Sequence, residues 1–143
     1  QQSMQHARRS QGRIALLLGD LDHFKAINDH YGHAIGDEVL RVAAGRLRAT
    51  VREVDTVARL GDDQFAIVLS GLGSGADAEQ MAKKLVTNLG QPMRVLGMPL
   101  EISLSLGVAL FSSGDLSPAD LMRRAEQAMA TAKQAGRACY RVF

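Results

Sequence analysis

Five consecutive apolar residues, Ile14-Ala15-Leu16-Leu17-Leu18, run without a polar interruption into Gly19-Asp20. A run this short and unbroken reads as a β-strand buried on both faces, because a half-exposed strand would alternate polar and apolar residues. Such a strand belongs inside a sheet, and the helical segments that follow it supply the covering layers. Phe24 to Tyr31 reads as a short helix stopped by Gly32, and from Asp37 the spacing of Val39, Leu40, Ala43, Leu47 and Val51 predicts about four helical turns. Thr56–Leu60 and Phe65–Leu69 are β-prone runs around Gly61-Asp62-Asp63-Gln64, a hairpin signal. Ser70 to Gly75 is a loop by composition, and Met81, Leu85 and Leu89 mark a third helix ending near Gly90.

A weak strand is expected near Met93 to Leu96. Leu100 to Phe111 follows as one strand, with Ile102, Leu104, Leu106 and Val108 inward and Ser103 and Ser105 outward. Ser117-Pro118-Ala119-Asp120 carries a hydroxyl cap, a proline at the first helical position and an acid in the first turn, so a helix starts there and runs to Gly136. Ala138 to Phe143 makes a last strand. The expected fold class is α/β, an α+β sandwich with antiparallel hairpins. Residues 1–12 have no apolar periodicity and read as a lead-in from a preceding segment, leaving residues 13–143 as one domain.

At 143 residues with 46% hydrophobic content the chain can bury a sizeable core. Its 17 basic and 15 acidic residues leave a net charge of only +2, which argues against a dedicated nucleic-acid binder. Cys139 is the one cysteine, which excludes an intramolecular disulfide framework and a Cys-rich zinc site and fits a cytoplasmic setting. No apolar run exceeds five residues, far short of the roughly 18 of a membrane span, so no membrane contact is expected.

The near-balance hides an uneven distribution. Asp20 and Asp22 close the first strand while Asp62 and Asp63 sit in the hairpin turn, so carboxylates converge if those strands are neighbours. Hard oxygen donors of this kind suit Mg²⁺ with phosphate oxygens, and hence phosphoryl transfer. Taken singly, Asp22 equally suits a helix cap and Asp62 a turn.

Three separated segments carry a more specific pattern: Asp20-Leu21-Asp22-His23-Phe24-Lys25-Ala26-Ile27-Asn28 through Gly36-Asp37, then Arg59-Leu60-Gly61-Asp62-Asp63-Gln64-Phe65, then Ala128 to Arg137 with Lys133 between. Together they closely resemble the GGDEF family of diguanylate cyclases over about residues 12 to 143. The resemblance implies the nucleotidyl-cyclase-like fold, with a central, mostly antiparallel five-stranded sheet wrapped by helices. It also implies a homodimeric reaction that joins two GTP molecules into cyclic di-GMP and pyrophosphate. By that resemblance Asn28 and Asp37 read the guanine edge. Phe24, Lys25, Gly61, Lys133 and Arg137 belong to the substrate site, with the three cations on the triphosphate. Asp20, the Leu21 carbonyl and Asp63 are the implied ligands of Mg²⁺ or Mn²⁺. Arg52 and Asp55 have the Arg-x-x-Asp form of the family's product-inhibition site, where cyclic di-GMP binds, and Lys83 or Lys84 is a candidate assistant.

The chain departs from the family at the signature itself. Asp62 stands where the second glycine leaves room for the nucleotide, and Gln64 stands where a glutamate approaches the metal and the attacking hydroxyl. Like charges about 4 Å apart repel by roughly 4 kcal/mol at an effective dielectric near 20. That is about half of the roughly 8 kcal/mol behind micromolar binding. An amide at position 64 can neither accept a proton nor add negative charge. The expectation is a degenerate, catalytically weak or silent module that binds GTP or cyclic di-GMP and modulates a neighbouring EAL or sensor domain. The competing expectation is an active cyclase, and a third is a dimerisation scaffold without ligand.

Overall fold

The computed structural model describes residues 13–111 and 116–143, so the expected lead-in over residues 1–12 lies outside the described residues. In chain order the elements are β1 (Arg13–Leu21), α1 (Phe24–Tyr31), α2 (His33–Thr50), β2 (Thr56–Arg59), β3 (Gln64–Leu72) and α3 (Gly75–Leu89). They continue with β4 (Met93–Val95), β5 (Met98–Leu100), β6 (Leu104–Phe111), α4 (Pro118–Gln134) and β7 (Tyr140–Val142). Five strands form one sheet in the order β2-β3-β1-β6-β7, and β4 and β5 pair separately as a small hairpin. All neighbours in the main sheet are antiparallel except β6 and β7, which run parallel. The fold is therefore α+β with a mixed sheet, and the apolar run that predicted a doubly buried strand forms its centre.

Period-two geometry sends alternate residues of β1 into two different cores. Ala15, Leu17 and Leu21 pack with Leu40, Leu47, Ile67, Leu69 and Leu85 under α1, α2 and α3, while Ile14, Leu16 and Leu18 pack with Leu121, Ala125 and Met129 of α4. Helix α4 lies hard against β6. A Cβ on Gly107 would sit 2.2 Å from the Met129 nitrogen and 2.3 Å from the Ala125 carbonyl oxygen, so the strand has room only for hydrogen there.

Four expectations need correction. The strand expected over 100–111 is broken, with β5 ending at Leu100 and β6 beginning at Leu104. Ser105 does not face solvent: it lies on the α4 side and is fully buried, because both faces of β6 are covered. Helix α2 starts at His33, four residues before Asp37, because Gly32 at φ 92° turns the chain directly from α1 into α2. The Ser117 cap is as expected, with its hydroxyl accepting from the Asp120 amide, and β3 extends through Leu72 into the presumed loop.

Candidate functional site

Strand β1 delivers Asp20 and Asp22 to one end of the sheet. Its register sets Asp20 opposite Gln64 of β3 on one side and opposite Ser105 of β6 on the other. The turn between β2 and β3 folds over that end, where the Leu21 amide donates to the Asp63 carbonyl at 3.1 Å. Asp20 and Asp63 are thereby brought close enough to repel. Burial chiefly, and then the Asp20 charge, push the Asp63 carboxyl above its ordinary range; Asp62 adds a little, and Lys133 partly opposes the rise. Lys133 reaches across from α4 and donates to Asp20 Oδ2.

The edge thus holds more carboxylate than cation. Among the described residues no three His, Cys, Asp or Glu side chains gather on one point. A divalent ion here would take the carboxylates of Asp20 and Asp63 with carbonyl, phosphate or water oxygens, a donor set that fits Mg²⁺. Gln64, beside Asp63 in the chain, presents an amide at the same edge.

A second group forms where α1 meets α2. Asn28 lies against Gly36, where an added Cβ would fall 1.7 Å from Asn28 Oδ1 and 3.4 Å from Phe24 Cζ. Oδ1 is buried and has no hydrogen-bond partner among the described residues. An unsatisfied buried acceptor costs about 1–3 kcal/mol, so the placement of this amide against Gly36 is held by the packing of the two helices rather than by a bond of its own. Asp37 follows Gly36 directly and is exposed, as is Lys25 on α1, while Phe24 is a core residue only 4% exposed that floors the group.

The turn itself is relaxed. Arg59 Nε donates to the Gly61 carbonyl at 2.7 Å and the Leu60 amide to the Gln64 carbonyl at 2.8 Å. Gly61 and Asp62 are exposed, and neither adopts a left-handed φ. Arg137, just past α4, approaches Asp22 rather than Asp20, with Nε 4.0 Å from Asp22 Oδ1.

Arg52 and Asp55 form a third group, distant from the others: Ser70, which they contact, is six residues along β3 from Gln64, about 20 Å of strand. The Asp55 carboxylate accepts from the Arg52 amide at 2.9 Å, from Arg52 Nε at 3.0 Å, from Arg52 Nη2 at 2.8 Å and from the Ser70 amide at 3.3 Å. Arg52 Nη2 also donates to the Ser70 carbonyl at 2.6 Å. Burial alone would raise the Asp55 carboxyl, but these donors and the guanidinium outweigh it and hold it below the ordinary range. Arg52 borders a cleft of about 230 Å³ to which α3 contributes Asp77 and Met81. Neither Lys83 nor Lys84 lines that cleft; Lys83 faces a different groove, beside Glu79 and Tyr140.

Sequence reasoning pairs Arg52 with Asp55 and sets Asp20 with Asp63 and Lys133, which the structure also brings together, but it groups Arg137 with Lys133 where the structure turns it toward Asp22, and it offers Lys83 or Lys84 to a cleft that neither lines. It gives no part to Gly36, whose missing Cβ leaves room for the Asn28 amide, and reads Asp22 only as a share in the acidic edge or as a helix cap. No helix among the described residues is long and apolar enough to cross a membrane.

Residues 1–139 match the family model described as "Diguanylate cyclase, GGDEF domain". The chain is 43% identical over 143 residues to the bifunctional diguanylate cyclase/cyclic di-GMP phosphodiesterase MucR of Pseudomonas aeruginosa, covering all of this chain and 21% of that protein. It is 40% identical over 141 residues to the diguanylate cyclase TpbB of the same species, covering 98% of this chain and 32% of TpbB. A solved structure of the TpbB GGDEF domain superimposes with a TM-score of 0.94 at 40% identity, over 99% of this chain and 83% of that one. The chain therefore spans about a fifth to a third of the length of these curated relatives.

Proposed function

Because the chain belongs to the GGDEF family of cyclic di-GMP signalling, we propose that residues 13–143 act as a guanine-nucleotide-binding regulatory module whose own cyclase turnover is weak or absent. One GTP lies across the end of β1. Asn28 accepts from and donates to the guanine edge beside the Asp37 carboxylate, which suits the paired N–H donors of guanine. Lys25, Lys133 and Arg137 take the triphosphate above Gly61, as ammonium and guanidinium groups do. Asp20, the Leu21 carbonyl and Asp63 hold the divalent ion. When bound, Mg²⁺ or Mn²⁺ neutralises phosphate charge and favours ionisation of a hydroxyl.

The observation that carries the reading is the position of Gln64, opposite Asp20 in the ladder and next to Asp63. An amide there keeps the shape of the edge but cannot take the proton of an attacking hydroxyl. Asp62 meanwhile adds a negative charge beside a carboxylate already held above its ordinary range. The chain thus keeps the parts that grip a nucleotide and lacks a base to activate one.

The Arg52–Asp55 pair is the second ligand site in this reading. Its guanidinium is fixed in orientation by Asp55 and still 45% exposed at the lip of the cleft, ready to stack on a guanine of cyclic di-GMP. Binding at either site would bias a neighbouring EAL or sensor domain in a longer protein.

Purified protein incubated with GTP and Mg²⁺ or Mn²⁺, followed by chromatography of the products, tests the proposal. Asp62→Gly combined with Gln64→Glu should raise turnover by about a hundredfold or more, the scale of restoring one transition-state contact. Cyclic di-GMP made by the parent as fast as by the double variant would overturn the silent reading in favour of an active cyclase. GTP and cyclic di-GMP should each raise the melting temperature, and the absence of both shifts would leave only a ligand-free scaffold.

A further inference from the structure

Asp22 is neither a helix cap nor part of the Asp20–Asp63 pair. The residue preceding α1 is His23, and it makes no side-chain capping bond. The Asp22 side chain is 2% exposed and fully engaged. Oδ2 accepts from Ser103 Oγ at 2.6 Å and from the Ala138 amide at 3.1 Å, while Oδ1 accepts from Ser105 Oγ at 2.6 Å and faces Arg137 Nε at 4.0 Å. The Asp22 amide donates to the Ser103 carbonyl at 2.8 Å, closing the ring.

The segment it holds is strained. Helix α4 ends with the Gly136 amide donating to the Lys133 carbonyl at 3.3 Å and the Arg137 amide to the Ala132 carbonyl at 3.1 Å, the two bonds of a Schellman motif. Three successive residues then have positive φ: Gly136 at 114°, Arg137 at 65° and Ala138 at 52°. Side chains rarely adopt this conformation, and two such residues in sequence persist only when the surroundings hold them. Asp22 grips the strap just after Arg137, at the Ala138 amide, and the Cys139 carbonyl accepts from the Leu106 amide at 3.0 Å one residue later. With Nε the nitrogen nearest Asp22, the Arg137 side chain remains 44% exposed. Asp20 in β1 and Asp22 just past its end therefore divide the cations of the α4 end between them, Asp20 taking Lys133 and Asp22 taking Arg137.

From this geometry we infer that Asp22 is a positioning residue for phosphate recognition: it touches no ligand and aims Arg137 by clamping the left-handed strap. The inference rests on the proposal that Arg137 meets the triphosphate, and the test separates the two. Calorimetry with GTP and Mg²⁺, and with GMP as a ligand lacking the outer phosphates, is run on the parent, Asp22→Asn, Arg137→Met and the double variant. Asparagine keeps the shape of Asp22 but loses its charge. Arg137→Met should weaken GTP about tenfold, the scale of one charge-assisted hydrogen bond. Asp22→Asn should weaken it by nearly as much, the double variant no further, and GMP affinity should be unchanged throughout.

If the parent does not bind GTP, or Arg137→Met leaves GTP affinity intact, the functional reading fails. If Arg137→Met weakens GTP and folded Asp22→Asn does not, the clamp is wrong and the functional reading stands. Equal loss of GTP and GMP in Asp22→Asn would mark a general packing role and also overturn the clamp. Should Asp22→Asn not fold, Ser103→Ala decides: it keeps the backbone bond to Asp22 and removes one hydroxyl donor. A loss of GTP affinity of about threefold with GMP unchanged supports the clamp, and no loss overturns it.

Discussion

Two aspartates at opposite ends of β3 are shifted in opposite directions. Asp55 is buried but receives three donors from Arg52 and one from Ser70, and its carboxyl is held below the ordinary range. Asp63 sits above that range, because burial acts on it chiefly and the Asp20 charge adds to the rise, while the nearby ammonium of Lys133 is spent on Asp20. Burial has the same sign at both places, so the supply of donors decides the outcome. The Arg52 loop is complete as it stands and stabilises the fold. The β1 edge is short of positive charge, with two neighbouring carboxylates and one ammonium.

The largest expected effect breaks the complete end. Asp55→Ala strips partners from two backbone amides and leaves the Arg52 guanidinium only the Ser70 carbonyl, so unfolding free energy should fall by about 3 kcal/mol. Arg52→Ala should cost about 1 kcal/mol, since that side chain is half exposed and its loss leaves Asp55 two backbone donors. Urea denaturation measures both. A drop below about 1 kcal/mol for Asp55→Ala would show that the loop does not depend on the pair.

Removing charge from the incomplete end should have the opposite sign and a smaller size. Asp63→Asn should stabilise the protein at neutral pH by up to about 1 kcal/mol, reduced by solvent screening at a half-buried turn, while abolishing any rise in melting temperature on adding Mg²⁺. The pH dependence separates the two ends further. A group with a lowered folded pKa contributes stability above its unfolded value, so the Asp55 contribution is lost as pH falls through its lowered pKa, below about 4. A raised acid binds its proton more readily in the folded state, so Asp63 subtracts stability as pH climbs from about 4 through its raised value. Asp55→Asn should therefore flatten the acid limb of the stability profile and Asp63→Asn the limb above it. Parallel changes in the two variants would refute the assignment.

Much of this arrangement was legible in the chain, for identifiable reasons. Ile14 to Leu18 announced a doubly covered strand, Gly61-Asp62-Asp63-Gln64 a hairpin turn, and Ser117-Pro118 a helix start, because each is a local pattern with a local cause. The burial of Ser105 was not legible. Alternation places it on the second face of β6, and only the docking of α4 onto Gly107 determines that this face is covered too. The α2 start was misplaced because Gly32 reads as a stop, whereas its positive φ joins two helices. Asp22 looked like a cap because its partners Ser103, Ser105 and Ala138 are more than eighty residues away in sequence and no spacing rule reaches them. In the candidate site, motif resemblance named Asp20, Asp63 and Lys133, which the fold brings to one edge. It gave no account of the charge shortage at Asp63, which arises from the convergence of β1, α4 and a turn.

The smallest stability change is expected where the functional consequence is greatest, at Asp62. Its side chain is exposed, its φ is not left-handed, and it ranks last among the causes that raise Asp63. Replacing it with glycine removes a weak repulsion of a few tenths of a kcal/mol and adds backbone freedom to the unfolded chain of about 0.4–1 kcal/mol. The two oppose each other, so Asp62→Gly should shift stability by less than about 1 kcal/mol, toward slight destabilisation. Asp62→Asn lacks the entropy cost and should be neutral or slightly stabilising. Both should tighten GTP binding in the presence of Mg²⁺, because each takes a negative charge away from the phosphate side of the turn. A denaturation and calorimetry pair on these two variants separates fold from ligand: a large stability change would mean the turn depends on Asp62. Unchanged GTP affinity in both would mean that its carboxylate lies clear of the nucleotide, leaving Gln64 as the chief departure to explain weak turnover.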